Sequence, residues 1–546
     1  MPATTEVTSP SKTGAAAVVP GNAAAGAESP RGFAKADRTR PLVVRGKRVY
    51  MIGIGGCGMS GLARMLKARG AEMSGSDSSG SVYTEMLERE GVEVGYDQSR
   101  AWLPGGCELV IASAAIRPDH PQVLEAERRG VPVLSYAEAL GWAMVGMGGV
   151  CVAGTHGKST TTAMLGFALA EAGLDPSVIV GANCSQFGGT GFRLGSGEIP
   201  AGARRGEPGL LVVEACEFNR SFHHYSPRIA VITSVEADHL DVYGTLDEVV
   251  KSFREFARLL PPAAAGGKLL IADQNAHRRE VTAGLECAVE TIGWSPTADW
   301  SVKYDPATRR TGLVKRGEGL VGAWVTPLPG EHNAMNAATA CVLAIWSGAD
   351  PDVVSRAIER FKGIDRRMQL LGERAVPGGA AGVGAVRVFD DYGHHPTEVE
   401  TTLRALRAAE RPEAHGGRLI CVFQPHQHSR TRHLMEEFAS AFSAADIVIV
   451  PHIYFVRDSI EEKTKVTAAD LVDRLRQKGV QAMHLYPFEA IVEQLEIVCR
   501  PGDVLVVMGA GPVDAVGKGF LAAGEKKGVG RGCGGGGGGC GTKEGC

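Results

Sequence analysis

The 546-residue chain has few features of a specialised setting. A long apolar run is missing: the uncharged span Ala139–Thr155 falls short of the ~20 residues of a membrane helix and contains five glycines, so it reads as helix end, linker and strand. No membrane partner is expected. Charge of one sign is missing too. The formal net charge is −3, and no global basic field argues for nucleic acid. None of the twelve cysteines forms a CxxC pair, and Cys151, Cys341, Cys421 and Cys499 sit in apolar runs. Reduced thiols and a cytoplasmic setting are expected. A secretory signal is not expected, because Ala15–Val19 is too short an apolar core and Pro20 follows it. Glu6, Glu28 and Asp37 argue against an organelle transit peptide. Residues 1–44 have no helical or strand period and read as a disordered tail; 525–546, rich in glycine with Cys533, Cys540 and Cys546, read as a flexible one.

The composition of the full chain is that of a soluble globular protein, 44% hydrophobic and 22% charged, and its length is enough for roughly three to four domains at ~150 residues each. Short apolar strands alternate with helical patterns, which predicts α/β domains with parallel sheets. The boundaries read as 45–148, 149–362 and 363–524.

The middle segment is organised around Cys151-Val-Ala-Gly154-Thr155-His156-Gly157-Lys158-Ser159-Thr160. This is a strand, a glycine turn and a helix start. Glycines let backbone N–H groups close on phosphate oxygens, the helix N-terminus adds positive potential, and Lys158 and Ser159 suit terminal phosphates and Mg²⁺. The loop is short, with two residues between its glycines where the general pattern has four. Glu214 ends an apolar strand, and Glu236-Ala-Asp238-His239 follows another, so acids gather at one sheet edge. Asn333 and Asn336 share one face near a helix start, where paired amides suit either a base edge or capping.

In the first segment, Arg48–Ile52 runs into Gly53-Ile-Gly55-Gly56-Cys-Gly58, with Asp77 nineteen residues beyond Gly58. Taken alone this fits a dinucleotide such as NAD(P), and equally another pyrophosphate. In the third, Arg366 and Arg367 follow a joint at Lys362-Gly363, which suits a phosphate clamp that engages on closure. A strand there ends in Asp390-Asp391-Tyr392-Gly393-His394-His395, a density of titratable groups hard to explain structurally. Gln424-Pro-His426 and Arg430-Thr-Arg432 follow the next strand.

Ala153–Lys158, Glu236–His239, Asp390–Glu398 and Phe423–His426 with Arg430–Arg432, in that order and spacing, resemble the Mur ligase family over about 47–520. The resemblance implies a UDP-binding Rossmann-like domain, a central ATPase domain and a C-terminal Rossmann-like domain for an incoming amino acid. It implies ATP-dependent joining of L-alanine to the carboxylate of UDP-N-acetylmuramate, in peptidoglycan precursor synthesis, with ATP and Mg²⁺ required. By residue, it places UDP-sugar at Gly53, Gly55, Gly56, Gly58, Asp77 and Ser113. ATP falls to Gly154, Thr155, His156, Gly157, Lys158, Ser159 and Thr160, with adenine at Asn333 and Asn336. Ser159, Glu214 and His239 become metal ligands; Lys158, His239, Arg366 and Asp391 become catalytic; Tyr392, His394 and Arg430 receive the amino acid. Within the family, attachment of a ready-made tripeptide is the alternative, and Tyr392-Gly393 with Gln424-Pro-His426 look more like the alanine enzyme. Three positions depart from the usual pattern: Ser159 for threonine, Cys216 for aspartate and Gln427 for arginine, so part of the carboxylate recognition is expected to fall to Arg430. Both monomer and homodimer fit the sequence.

Overall fold

The computed structural model describes residues 40–376, 384–456 and 458–529. They form three α/β units, each built on its own sheet. The first sheet is all parallel, in the order Glu93–Gly95, Glu72–Ser76, Arg48–Ile52, Leu109–Ala112, Val133–Ser135. Its helices start at identifiable signals: Ser81 and Ser135 both close capping boxes, the latter with Glu138.

The central sheet has ten strands. Ser177–Cys184, Leu210–Glu214, Gly148–Ala153, Ile229–Ile232, Lys268–Ala272, Ala288–Gly293 and Trp300–Asp305 run parallel in that spatial order. Strand Gly148–Ala153 is buried along its whole length, as expected for a strand covered on both faces. Antiparallel strands extend both edges: Thr190–Arg193 on one, and Arg310–Lys315 with Gly319–Val325 on the other. The parallel reading of the sequence did not include these. The third sheet orders Gln369–Ala375, Ala385–Asp391, Val504–Met508, Leu419–Phe423, Ile447–Val450 and Gln481–His484, with only the first strand antiparallel.

Two details adjust the expected limits. Leu42 and Val44, assigned to the N-terminal tail, are buried in the first unit's core, and helix Asp514–Val529 continues past residue 524. The readings of 1–39 and 530–546 lie outside the described residues. The first and central units also share one apolar cluster. Leu140, Ala143 and Met144 of the first belong with Phe222, Phe253 and Phe256 of the second, so residue 148 cuts a chain boundary and not a core boundary. Among the described residues, no helix is long and apolar enough to cross a membrane.

The parallel strands of the central and C-terminal units deliver Ala153, Glu214, Ile232, Asp391 and Phe423 at their C-terminal ends. Loops following such ends form the usual ligand crevice of open α/β sheets.

Candidate active site

In the first unit the glycine loop is shaped by close approach. Gly53 has φ +78°, and a Cβ there would lie 2.8 Å from Ser113 Cβ. At Gly55 a Cβ would lie 2.7 Å from Thr84 and 2.9 Å from Asp77 Oδ2, because the Gly55 N–H donates to that oxygen at 2.8 Å. The structure thus brings Gly53, Gly55, Asp77 and Ser113 together. Gly56 precedes helix Cys57–Ala68 without a side-chain cap, leaving the helix's first N–H groups without a side-chain acceptor of its own. Asp77 braces this loop through the Gly55 and Ser78 N–H groups.

The central phosphate loop turns at Gly154 (φ +127°) and Gly157 (φ +80°), and helix Lys158–Glu171 starts there. Lys158 folds back on its own loop. Its Nζ donates to Gly154 O at 2.6 Å and Thr155 O at 3.1 Å, and pairs with Glu217 at 2.9 Å. Burial disfavours the ammonium, but Glu217 beside it outweighs burial and raises the pKa above the ordinary lysine value. Glu217 was not singled out as a partner in the sequence; it lies 59 residues away.

Ser159 Oγ donates to Glu214 Oε1 at 2.9 Å, and Gly181 N–H holds the other oxygen at 2.7 Å. Two hard oxygen donors therefore sit side by side at the loop, a set that suits Mg²⁺. His239 lines the same cleft in a left-handed backbone conformation and packs edge-on against Phe218, 5.1 Å between ring centres. Among the described residues it has no hydrogen bond to Ser159 or Glu214 (its ring is 3.8 Å from Asp238). Asn333 and Asn336 bond to each other at 3.3 Å, and Thr161 Oγ1 donates to Asn336 at 3.2 Å. Gly330, not Asn333, caps their helix, so the pair is anchored against the phosphate-loop helix.

From the C-terminal unit, Asp391 accepts the N–H groups of Met368 (2.9 Å) and Gly393 (2.7 Å). Burial pushes its carboxyl up to about 6, against the pull of Arg367. Arg366, also left-handed, donates to Gly509 O and Gly511 O and lies over the Tyr392 ring; it is tied to its own unit and not to the phosphate loop. His394 meets Tyr392 edge-on, and its Nδ1 is 3.1 Å from Tyr392 O. A carbonyl only accepts, so Nδ1 carries the hydrogen and Nε2 keeps a lone pair. Burial holds this imidazole neutral, with a pKa lowered to about 4 although Glu398 pulls the other way.

Charged and polar groups join the central and C-terminal units at the cleft, alongside the Asp365 N–H on Asn183 O at 2.9 Å. Arg430 donates through Nη2 (2.6 Å) and Nε (3.2 Å) to Asp238 Oδ1, with both residues buried. Burial would raise the Asp238 pKa, but Arg430 reverses this and holds it far below the usual range. Thr397 Oγ1 donates to Glu236 at 2.8 Å. His156 lies between Glu236 (3.3 Å) and Glu398 (3.4 Å). Arg430 Nη1 also meets His426 Nδ1 at 3.1 Å, so the arginine expected to receive a carboxylate is already committed to partners here. Gln427 is buried, with φ +68° and its N–H on Tyr454 O.

Lys158, Ser159, Glu214, His239, Asn333, Asn336, Arg366, Asp391, His394 and Arg430 open on one cavity of about 890 Å³, and among the described residues the first unit enters it only through Tyr83. Tyr83 donates to Asn183 at 2.6 Å. No local pattern marked it, because a tyrosine on a helix surface carries no signal by itself.

Comparison with known proteins gives this architecture a family. Residues 48–146 match the Mur ligase family catalytic domain, 152–344 the Mur ligase middle domain, and 366–511 the Mur ligase glutamate ligase domain. The chain belongs to the Mur ligase family. As a Mur ligase it is an ATP-dependent ligase. It is 40% identical over 486 residues to the UDP-N-acetylmuramate–L-alanine ligase of Kineococcus radiotolerans, covering 88% of this chain and 96% of that one. The same-named protein of Rubrobacter xylanophilus is 38% identical over 479 residues, covering 87% and 99%. Among solved structures, the UDP-N-acetylmuramate–alanine ligase of Thermotoga maritima superposes with a TM-score of 0.69 at 22% identity, covering 88% of this chain and 99% of that one. A murein peptide ligase from Psychrobacter arcticus gives 0.63 at 23%, covering 87% and 98%. At these identities the two structures speak for the Mur ligase fold alone.

Proposed function

We propose that this Mur ligase joins the amine of L-alanine to the carboxylate of UDP-N-acetylmuramate, with ATP cleaved to ADP and phosphate. The observation that carries this reading is the single cavity on which Lys158, the Ser159–Glu214 pair and the Asp391–His394 turn all open. The names of its relatives, UDP-N-acetylmuramate–L-alanine ligases, support this choice of substrates. ATP lies along the phosphate loop, with adenine toward Asn333 and Asn336. UDP-sugar lies on the loop Gly53–Gly58, with Asp77 and Ser113.

A muramate carboxylate oxygen attacks the γ-phosphorus, the bond to the ADP oxygen breaks, and an acyl phosphate forms. Lys158 leaves Glu217 to neutralise the transferred group. Mg²⁺, when bound by Ser159, Glu214 and His239, supplies further charge stabilisation to the phosphates. Arg366 exchanges its loop carbonyls for phosphate oxygens as that group transfers. L-Alanine reacts as its free amine, whose N–H is oriented by the lone pair of His394 Nε2; the amine attacks the acyl carbon, the bond from that carbon to the phosphate oxygen breaks, and phosphate leaves carrying the proton the amine gives up. Arg430 holds the alanine carboxylate in exchange for Asp238, Tyr392 flanks the site, and Asp391 fixes the turn that presents Arg366 and Arg367. The contacts between these units keep water from the acyl phosphate.

The test is phosphate release from ATP with UDP-N-acetylmuramate and Mg²⁺, with and without L-alanine, read together with product mass. Release that needs both substrates, with a UDP-muramoyl-alanine product, supports the reading. Release that ignores alanine but responds to a preformed tripeptide assigns the chain to peptide recycling. Indifference to UDP-N-acetylmuramate refutes both.

A further inference from the structure

We propose that His156, Glu236 and His395 form a site for one divalent transition-metal ion, Zn²⁺ by the chemistry of its donors, across the seam between the central and C-terminal units. One ligand atom from each residue lies within 4.8 Å of the other two. The site is separate from the oxygen pair Ser159–Glu214, which suits Mg²⁺. Two imidazoles and one carboxylate suit Zn²⁺.

Four observations converge. His156 Nε2 and Glu236 Oε2 are 3.3 Å apart, close to the ~3.4 Å that separates two ligands on a tetrahedral ion with ~2.05 Å bonds. His395 stands over His156, 4.9 Å between ring centres. It is 5% exposed and its Nε2 has no hydrogen-bond partner, an uncompensated cost that a metal bond removes. Glu398 lies 3.4 Å from His156 Nδ1, on the far side of the ring from Glu236, which is the carboxylate–histidine–metal arrangement that fixes tautomer and ring orientation.

Proton balance is simple. The ion takes the place of the proton shared between His156 Nε2 and Glu236, and the remaining His156 proton stays on Nδ1 toward Glu398. The His395 proton shifts to Nδ1, which exchanges a long 3.3 Å contact from the Thr397 N–H for the metal bond. Because His156 belongs to the phosphate loop and His395 to the C-terminal unit, the ion fastens the cleft shut. The expected consequence is inhibition of turnover by Zn²⁺ that a chelator reverses and excess Mg²⁺ does not.

The experiment is equilibrium binding of Zn²⁺ alone to the full chain, by competition with a chromophoric chelator. The expected result is one equivalent bound at micromolar or tighter affinity, weakened at least tenfold in His395→Ala and in Glu236→Gln, and retained in Glu214→Gln. Co²⁺ in its place should show the visible absorption of a low-coordinate site. Absence of stoichiometric binding, affinity unchanged in the folded variants, or loss in Glu214→Gln with retention in Glu236→Gln overturns the proposal. Circular dichroism decides which variants count, and Glu236→Gln carries the test if His395→Ala does not fold. None of these readouts depends on the ligation reaction.

Discussion

Three glycines of the central unit set up a graded test of how the phosphate loop is held. Gly188, Gly157 and Gly154 all have positive φ, at +75°, +80° and +127°. A Cβ at Gly188 meets nothing within 4 Å. Gly188→Ala therefore incurs only the left-handed backbone penalty, about 1–2 kcal/mol. A Cβ at Gly157 lies 2.5 Å from Asn336 Oδ1, the atom that accepts from Thr161. Gly157→Ala adds the loss of that buried bond, about 1 kcal/mol, for a total of about 2–3 kcal/mol. At Gly154 a Cβ runs into Thr233 Oγ1 and sits 2.7 and 2.8 Å from the Thr233 and Ser234 nitrogens, backbone that cannot swing aside. Gly154→Ala should not yield folded protein. At about 2–4 °C per kcal/mol for a unit of this size, the first two variants should lower the Tm by about 2–8 °C and 4–12 °C. Calorimetry measures these shifts, and ATP titration should show a higher KM only for Gly157→Ala. A Gly157→Ala protein with the Tm and ATP KM of Gly188→Ala would refute the argument, because the Asn336 contact would then carry no weight.

Lys158→Ala should abolish phosphate release with the fold intact by circular dichroism; near-normal ligation by a folded variant removes Lys158 from the mechanism. Asp238→Ala strands Arg430 in a buried position, at a cost of about 3–5 kcal/mol, and because the pair joins two units the loss should appear as opening, a larger radius of gyration by small-angle scattering. An unchanged radius would mean that the pair does not hold the cleft closed. The His156 bridge also sets a pH window. Burial opposes the charge on His156, but Glu236 and Glu398 raise its pKa to about 9, while His156 helps lower Glu236 to about 2. Stabilisation from a raised histidine pKa is complete below about 6.5 and is lost as pH rises through about 9; that from the lowered glutamate is complete above about 4.5 and is lost as pH falls through about 2. Denaturant melts should show up to about 3 kcal/mol disappearing between pH 6.5 and 9.5, and His156→Gln should flatten that limb. A wild-type profile that is already flat contradicts the bridge.

The division into three α/β units and the loops at their strand ends were legible because their signals are local. A glycine turn between an apolar strand and a helix start is written in a dozen consecutive residues, which singles out Lys158 and Ser159; Glu214 stands out at a strand end, and Asp391 by the density of titratable groups around it. The antiparallel strands between residues 300 and 325 were missed because they are edge strands with polar alternation, although Asp305-Pro306 and Gly317 mark their turns. Leu42 and Val44 were missed because two apolar residues at the end of a low-complexity stretch disappear into its average. Glu398 looks like an ordinary capping residue, and it does close a capping box with His395. Only the fold shows that the same carboxylate also faces His156 and Arg367.

What the sequence could not supply is therefore partnership across units. Each half of the Asp238–Arg430 pair sits in a motif that was recognised, 192 residues apart, and each motif alone offers its charge to a substrate. The fold pairs them with each other. Lys158 with Glu217 follows the same logic within one unit, and Arg366 follows it with the carbonyls of Gly509 and Gly511. Buried charges must be paired within the protein, and under the proposed reaction these internal partners are the ones that the substrates' own charges replace. Part of the binding energy of ATP and alanine is then used to displace internal partners, so selectivity depends on how well a ligand's anionic groups reproduce the geometry of Glu217 and Asp238. On that account Glu217→Gln should alter ATP affinity without altering alanine affinity, and Asp238→Asn should do the reverse.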